Sequence, residues 1–313
     1  MIYDLSQLLV IGISSRSLFN LEKENQIFYE RGLEDYIRYQ VEHEDEILEP
    51  GTAFPLVKGL LALNELKQKR LVEVIVMSKN SPDTGLRIFN SIEHYGLDIT
   101  RAALTGGEGL APYLEAFDID LFLSKSETDV QAAIDAGRAA AMLYDPPPGQ
   151  AATIDKVRIA FDADAVLFSE ESEAIYRQKG LEAFYENERS MVNRPLQEGP
   201  FAKLLKTLSL IQQGFEPAQA PVRIAIVTAR NSPAHGRVIK TLRSWGVRVD
   251  AAFFLGGIPK DKVLKAYGAQ IFFDDQEVHL GLASAVVPAG RVPYPSSSIL
   301  HPDNRSGIRP RAL

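Results

Sequence analysis

The sequence predicts an α/β fold made of two tandem parallel-sheet units, and three observations carry that reading. Apolar strand-like runs alternate with helical patterns along the whole chain, as a parallel sheet with helical crossovers requires. A breaker, Pro146-Pro147-Pro148-Gly149, interrupts the alternation near the middle. Beyond it the same order of elements returns. At 313 residues the chain has room for two such domains, and 45% hydrophobic with 24% charged residues is the balance of a globular protein. The expected boundaries are a first domain over 1–150, a second over 151–290 and a C-terminal tail over 291–313.

The elements follow in order. Leu8 to Ser15 reads as a buried strand, and Asn20 to Glu46 as a polar helical segment. Pro50-Gly51 breaks the chain before an amphipathic helix from about Phe54 to Lys69. Val72 to Pro82 is a strand ending in a turn, followed by a helix from about Asp83 to Tyr95. Two further strands, Ala103 to Gly107 and Asp120 to Glu127, complete the first set. In the second set, Val157 to Ser169 corresponds to the first strand and Ser169 to Met191 to the polar helical segment. Val222 to Pro233 corresponds to Val72 to Pro82, sharing Asn-Ser-Pro at 80–82 and 231–233. Leu255-Gly256-Gly257 matches Thr105-Gly106-Gly107, and Ile271 to Glu277 matches Leu121 to Glu127. Four landmarks recur in one order, about 150 positions apart, which is the signature of a tandem duplication.

The repeat separates scaffold from chemistry. It pairs Asp162 with Ser14, Asp164 with Arg16, Thr228 with Met77, Lys260 with Leu110, Asp274 with Ser124 and Asp275 with Lys125. The apolar framework is common to both halves, while the reactive side chains appear in the second. Asp162 and Asp164 sit two apart at the end of a buried strand, where extended chain turns both carboxylates to one side. Two roles fit them: nucleophile with general acid, or anchors for a divalent metal. Thr228 and Ala229 end a strand before a turn that opens a helix, a place where an anion meets free amides, or where a threonine simply satisfies the turn. Lys260 precedes a helix, as a phosphate-neutralising charge or as a solvated surface residue. Asp274-Asp275 closes a strand, as hard oxygen ligands or as an exposed turn.

In content and order these motifs resemble those of the haloacid dehalogenase-like phosphatases. The strings VIGISSR, GTAFPLVK, FDADAVLFSEESE, TLRSWG and IFFDDQ, spread over residues 10–276, are similar to the cytosolic 5'-nucleotidase I family. The resemblance implies two haloacid dehalogenase-like, Rossmann-like units, each with a small helical cap, the first catalytically degenerate and either structural or regulatory. It implies magnesium-dependent hydrolysis of 5'-nucleoside monophosphates in the cytoplasm. Asp162 would be the nucleophile and Asp164 the general acid and base, with a raised pKa in the complex. Thr228, Ala229 and Lys260 would hold the phosphate. Asp162, the backbone carbonyl of Asp164, Asp274 and Asp275 would hold Mg2+. The insertion at about 169–193 would be the cap that reads the leaving group, with Glu170, Glu171, Ser172, Phe184 and Tyr185 as candidate readers and Arg230 as another. Phe184 and Tyr185 equally fit the cap's own core. The family's members assemble as oligomers, which points to a homo-oligomer.

Other classes have less support. A net charge of −7 argues against a nucleic-acid partner, and no apolar run is long enough for a membrane span. With no cysteine, thiolate catalysis and disulfides are excluded. His43, His94, His235, His279 and His301 show no metal-binding spacing and read as surface or packing residues. Two alternatives stay open: a phosphatase of the same superfamily acting on another small phosphate ester, and a nucleotide-binding regulatory protein.

Overall fold

The computed structural model describes residues 5, 7–66, 69–148 and 156–304. Gly149 of the expected linker, the expected start of the second domain at 151–155, and 305–313 of the expected tail lie outside the described residues. The protein is mixed α/β, and its described residues fall into two compact units, the first ending at Pro146.

In the first unit, strand β1 (Leu9–Ile13) is buried at every position. Its Leu-Val-Ile-Gly-Ile sequence has no polar face, as a strand covered on both sides requires. A single helical turn, α1 (Ser15–Leu18), leads to the helix pair α2 (Glu22–Arg31) and α3 (Leu33–Glu42). α4 (Phe54–Ala62) ends earlier than its apolar pattern predicts. A 3-10 turn follows at Leu63–Glu65, and Asn64 Oδ1 accepts the Leu71 and Val72 amides at 2.8 and 2.9 Å, drawing the chain into the next strand. β2 (Val72–Ser78), α5 (Leu86–His94), β3 (Arg101–Leu104), α6 (Ala111–Ala116), β4 (Leu121–Ser124), α7 (Glu127–Asp135) and β5 (Ala140–Leu143) complete the unit. Its strands are parallel, in the order β3-β2-β1-β4-β5.

The second unit opens with β6 (Val157–Phe161), then a kinked turn at Ala163–Leu167 and the helix pair α8 (Glu171–Lys179) and α9 (Leu181–Ser190). α10 (Ala202–Gln213), β7 (Val222–Thr228), α11 (His235–Ser244), β8 (Ala251–Phe254), α12 (Asp261–Tyr267), β9 (Ile271–Asp274), α13 (Glu277–Ala283) and β10 (Ala289–Arg291) follow. Its order is β8-β7-β6-β9-β10, again parallel. The sheet grows outward from β6 in both directions, so the C-terminal end of β6 is the switch point where such sheets bind ligands.

In each unit the long polar helical segment is a pair of helices broken by one glycine. Gly32 at φ 87° and Gly180 at φ 86° take backbone angles that a side chain resists. Beneath the β6 end lies a floor of Phe161, Phe201 and Phe273, with ring centroids 5.0–6.3 Å apart. Phe161 and Phe273 each precede an aspartate, so burying the rings fixes where Asp162 and Asp274 emerge.

Two expectations are corrected. β2 ends at Ser78 and β7 at Thr228, and Ser78 faces Leu104 as Thr228 faces Phe254, so Thr228 matches Ser78 rather than Met77. The Asn-Ser-Pro turn lies one position farther on in the second unit, which therefore carries one extra residue between Thr228 and Asn231. The expected tail over 291–313 starts inside strand β10, and Tyr294, Ser298 and Leu300 beyond it are buried.

Candidate active site

Two strand ends deliver three carboxylates to one point. Asp162 follows β6, its amide donating to the Phe273 carbonyl at 2.8 Å; Asp274 ends β9, and Asp275 comes next. All three are buried, and one oxygen from each lies within 4.8 Å of the others. Lys260, at the start of α12, is equally buried and donates to Asp162 Oδ1 and Asp274 Oδ2, both at 2.6 Å. Burial works to lower the Lys260 pKa, but the two carboxylates outweigh it and hold the ammonium charged. One ammonium does not neutralise three acids. Burial, with Asp274 and Asp164 nearby, pushes the Asp162 carboxyl up to about 6 despite Lys260. Burial and the Asp274 and Asp162 charges raise Asp275 well above the carboxylate range. The cluster is one cation short.

The hydrogen bonds show where that cation fits. Asp274 uses both oxygens: Oδ2 takes Lys260, and Oδ1 accepts the Gln276 amide at 2.8 Å. Asp275 Oδ2 accepts the Tyr294 hydroxyl, while its Oδ1 is buried without a partner. A buried carboxylate oxygen with nothing to accept is costly. Beside two further acids it suits a hard divalent cation such as Mg2+, which prefers oxygen ligands. The residues present fit the metal, with Asp275 Oδ1 as the open ligand and Asp274 as the group that orients Lys260.

Asp164 faces elsewhere. The turn after Asp162 stays extended at Asp164 and then passes through Ala165 at φ 58°, a left-handed angle disfavoured for a residue with a Cβ. Ala165 is held there by packing with Tyr294 and Leu300. The Asp164 carboxylate receives a two-pronged grip from Arg230, Nε to Oδ2 at 2.7 Å and Nη2 to Oδ1 at 2.6 Å. Arg230 Nη1 also donates to Glu188 Oε2 on α9 at 2.6 Å. Glu188 in turn accepts Arg237 at 3.0 Å and Ser172 at 3.0 Å. Arg230 therefore ties the helix pair to Asp164, and it belongs to the turn that carries the extra residue.

The remaining candidates take their places around this centre. Thr228 is buried, its Oγ1 accepting the Arg230 amide at 3.2 Å, while Ala229 beside it is exposed. Phe184 is buried with Tyr176, Tyr185 and the Arg230 guanidinium around its ring. The Tyr185 hydroxyl donates to Asn231 Oδ1 at 2.6 Å. Glu170 accepts Ser298, and Glu171 lies 4.0 Å from Arg237. These contacts tie the α8–α9 residues into the rest of the second unit.

Sequence reasoning missed two participants. Tyr294 lies in the expected tail, where no motif marks it. Glu188 looks like any acid on a polar helix. His279, expected as a surface or packing residue, lies half-buried near Lys260 and Asp162. Burial and the Lys260 charge push its imidazole down to about 4, so it is neutral at pH 7.

A family model described as 5'-nucleotidase matches residues 1–298. The human protein named cytosolic 5'-nucleotidase 1B is 38% identical over 283 residues, which cover 87% of this chain and 46% of that one. The chain thus spans about half the length of the curated relative it matches. Among solved structures, a histidinol dehydrogenase from Elizabethkingia anophelis aligns over 77% of this chain and 49% of its own at 11% identity. Its TM-score of 0.21 is too low to bear on fold or function. Among the described residues no helix is long and apolar enough to cross a membrane.

Proposed function

The chain belongs to the 5'-nucleotidase family, and from that membership and the geometry above we propose that it is a cytoplasmic, magnesium-dependent hydrolase of 5'-nucleoside monophosphates. The products are a nucleoside and phosphate, and the reaction runs through an aspartyl-phosphate on Asp162. The observation that carries the reading is the buried trio Asp162, Asp274 and Asp275, bridged by Lys260 and left with one unsatisfied oxygen.

In the first step an Asp162 oxygen attacks phosphorus while the bond to the leaving 5'-oxygen breaks. Asp164 supplies that oxygen with a proton. The hydroxyl oxygen of a protonated carboxyl is a weaker acceptor than a carboxylate oxygen, so Asp164 loosens part of the Arg230 grip to act as acid. In the second step Asp164 takes a proton from water, which attacks phosphorus and releases phosphate from Asp162. Lys260 holds Asp162 in place and stabilises charge gathering on the transferred oxygens, with Thr228 as a further phosphate contact. Magnesium, when bound, would offset the repulsion between the Asp162 carboxylate and the substrate phosphate.

The same proposal reads the first unit as a haloacid dehalogenase-like domain without catalysis and 151–290 as the catalytic domain, with its cap at about 169–193. Support comes from the matching strand orders and glycine-broken helix pairs, and from Ser14, Leu110, Ser124 and Lys125 at the places of the reactive residues. The test is phosphate release from a panel of 5'-nucleoside monophosphates and sugar phosphates, with magnesium and with EDTA. Metal-dependent release from nucleotides, lost in Asp162→Asn, is the expected result. Release from sugar phosphates alone would replace the substrate class, and binding of nucleotides without release would leave a regulatory protein.

A further inference from the structure

We propose that the first unit binds a phosphate-class oxyanion in a cradle formed by Arg16 and Lys125, at the C-terminal ends of β1 and β4. These residues stand at the places of Asp164 and Asp275, so the charge of the site is inverted. Arg16 Nη2 donates to Glu22 Oε2 at 2.8 Å, and Lys125 Nζ donates to Glu22 Oε1 at 2.9 Å. Two cations closing on the two oxygens of one carboxylate is the grip an oxyanion receives. Here Glu22 is the stand-in.

Exposure separates the cradle from its plug. The Lys125 side chain is 9% exposed, whereas Glu22 is 46% exposed and Asp145, the other partner of Lys125 at 2.7 Å, is 84% exposed. Lys125 is built into the unit, the Arg16 side chain is 29% exposed, and the acids that quench them sit farther out on the solvent side. Solvent around the exposed acids screens these pairs and weakens the plug's hold. Arg16 Nε is also buried with no acceptor, a donor that Glu22 leaves unused. A phosphate dianion brings twice the charge of Glu22 and more acceptor oxygens, so it displaces the plug. Ser14, at the place of Asp162, supplies a hydroxyl bonded to Ser17 at 2.9 Å and no carboxylate to attack phosphorus. The cradle holds its ligand uncleaved.

The inference does not depend on what the second unit catalyses. The experiment is calorimetric titration of the full-length protein with inorganic phosphate in EDTA at low ionic strength. A second titration uses a nucleoside monophosphate, to tell a free-phosphate site from a phosphate-ester site. Wild type should bind one phosphate per chain. Glu22→Gln, an exposed and structurally mild change, should bind about fivefold more tightly because the plug is removed. Arg16→Gln with Lys125→Gln should weaken binding by at least about tenfold, and Lys125→Arg should retain it. Lys260→Met, in the other unit, should leave it unchanged. The idea is overturned if phosphate does not bind, if Glu22→Gln fails to tighten binding, or if Lys260→Met rather than the Arg16 and Lys125 changes abolishes it.

Discussion

The two units solve one packing problem with the same arginine and different acids. In the first, Arg87 on α5 donates to Glu24 on α2 at 2.6 Å and to Gln40 on α3 at 3.3 Å, and its Nε takes the Glu46 carbonyl at 2.9 Å. In the second, Arg237 on α11 donates to Glu188 on α9 at 3.0 Å, with Ser172 on α8 completing the group, and its Nε takes the Arg194 carbonyl at 2.9 Å. The carboxylate has changed helices. The hydroxyl that follows is shared too: Ser91 accepts the Leu48 amide at 3.0 Å as Thr241 accepts that of Leu196 at 2.9 Å. So is the latch between helix pair and turn, Tyr36 to Asn80 at 3.0 Å and Tyr185 to Asn231 at 2.6 Å. Placing the acid on α9 in the second unit lets it reach Arg230 as well. What both units keep is packing; among the described residues only the second holds a buried trio of acids. By that criterion Tyr185 is scaffold, and Arg230 and Glu188 belong with the site.

The largest test of that division compares two substitutions at matching places. Asp162→Asn should lower the hydrolysis rate by roughly 10⁴-fold or more, while Ser14→Ala should leave it within about twofold, in steady-state phosphate release. Equal losses would break the comparison. Next come the buried arginines. Arg87→Met strands Glu24 among buried groups and should cost about 3–5 kcal/mol in chemical denaturation. Arg237→Met should cost less, because Glu188 keeps Arg230.

Titration should follow the charge balance of the acid trio. Asp162 has its folded pKa raised from 3.8 to about 6, so in metal-free protein its neutral form favours folding. That contribution is complete below the unfolded value and is lost as the pH rises through about 6. Asp275, raised in the same sense, adds to it. Denaturation of metal-free protein from pH 4 to 7 should show stability falling by on the order of 3 kcal/mol, and Asp162→Asn should flatten the slope. Smaller again, Tyr294→Phe should weaken magnesium or manganese affinity by about tenfold with little loss of stability, since it removes only the hydroxyl that orients Asp275. Unchanged metal affinity would show that Asp275 needs no such support. Smallest are Tyr36→Phe and Tyr185→Phe, each expected to cost about 1 kcal/mol. A large loss of activity in Tyr185→Phe alone would move that residue from scaffold to site.

Much of the site was legible in the sequence because its acids sit at the ends of buried strands, where apolar runs stop abruptly. Asp162, Asp274 and Asp275 could be found that way, and the repeat showed which half carries them. Fine register was less accessible. The extra residue between Thr228 and Asn231 is invisible until the strand pairings are known, which is why Thr228 was matched with Met77. Phe184 and Tyr185 could be read as cap core or as substrate readers, because a helix pattern reports which face is apolar and not what covers it.

The sequence by itself determined the α/β alternation and the delivery of three carboxylates to strand ends. These follow from local rules: apolar periodicity and the alternation of a strand. Only the tertiary structure decided that Lys260 bridges Asp162 and Asp274, that Asp275 keeps one oxygen open while Tyr294 holds the other, and that Arg230 joins Asp164 to the helix pair α8–α9. Those contacts link residues from different elements, and their strength comes from burial, which the assembled unit alone supplies. A lysine or tyrosine in sequence carries no record of the dielectric it will occupy.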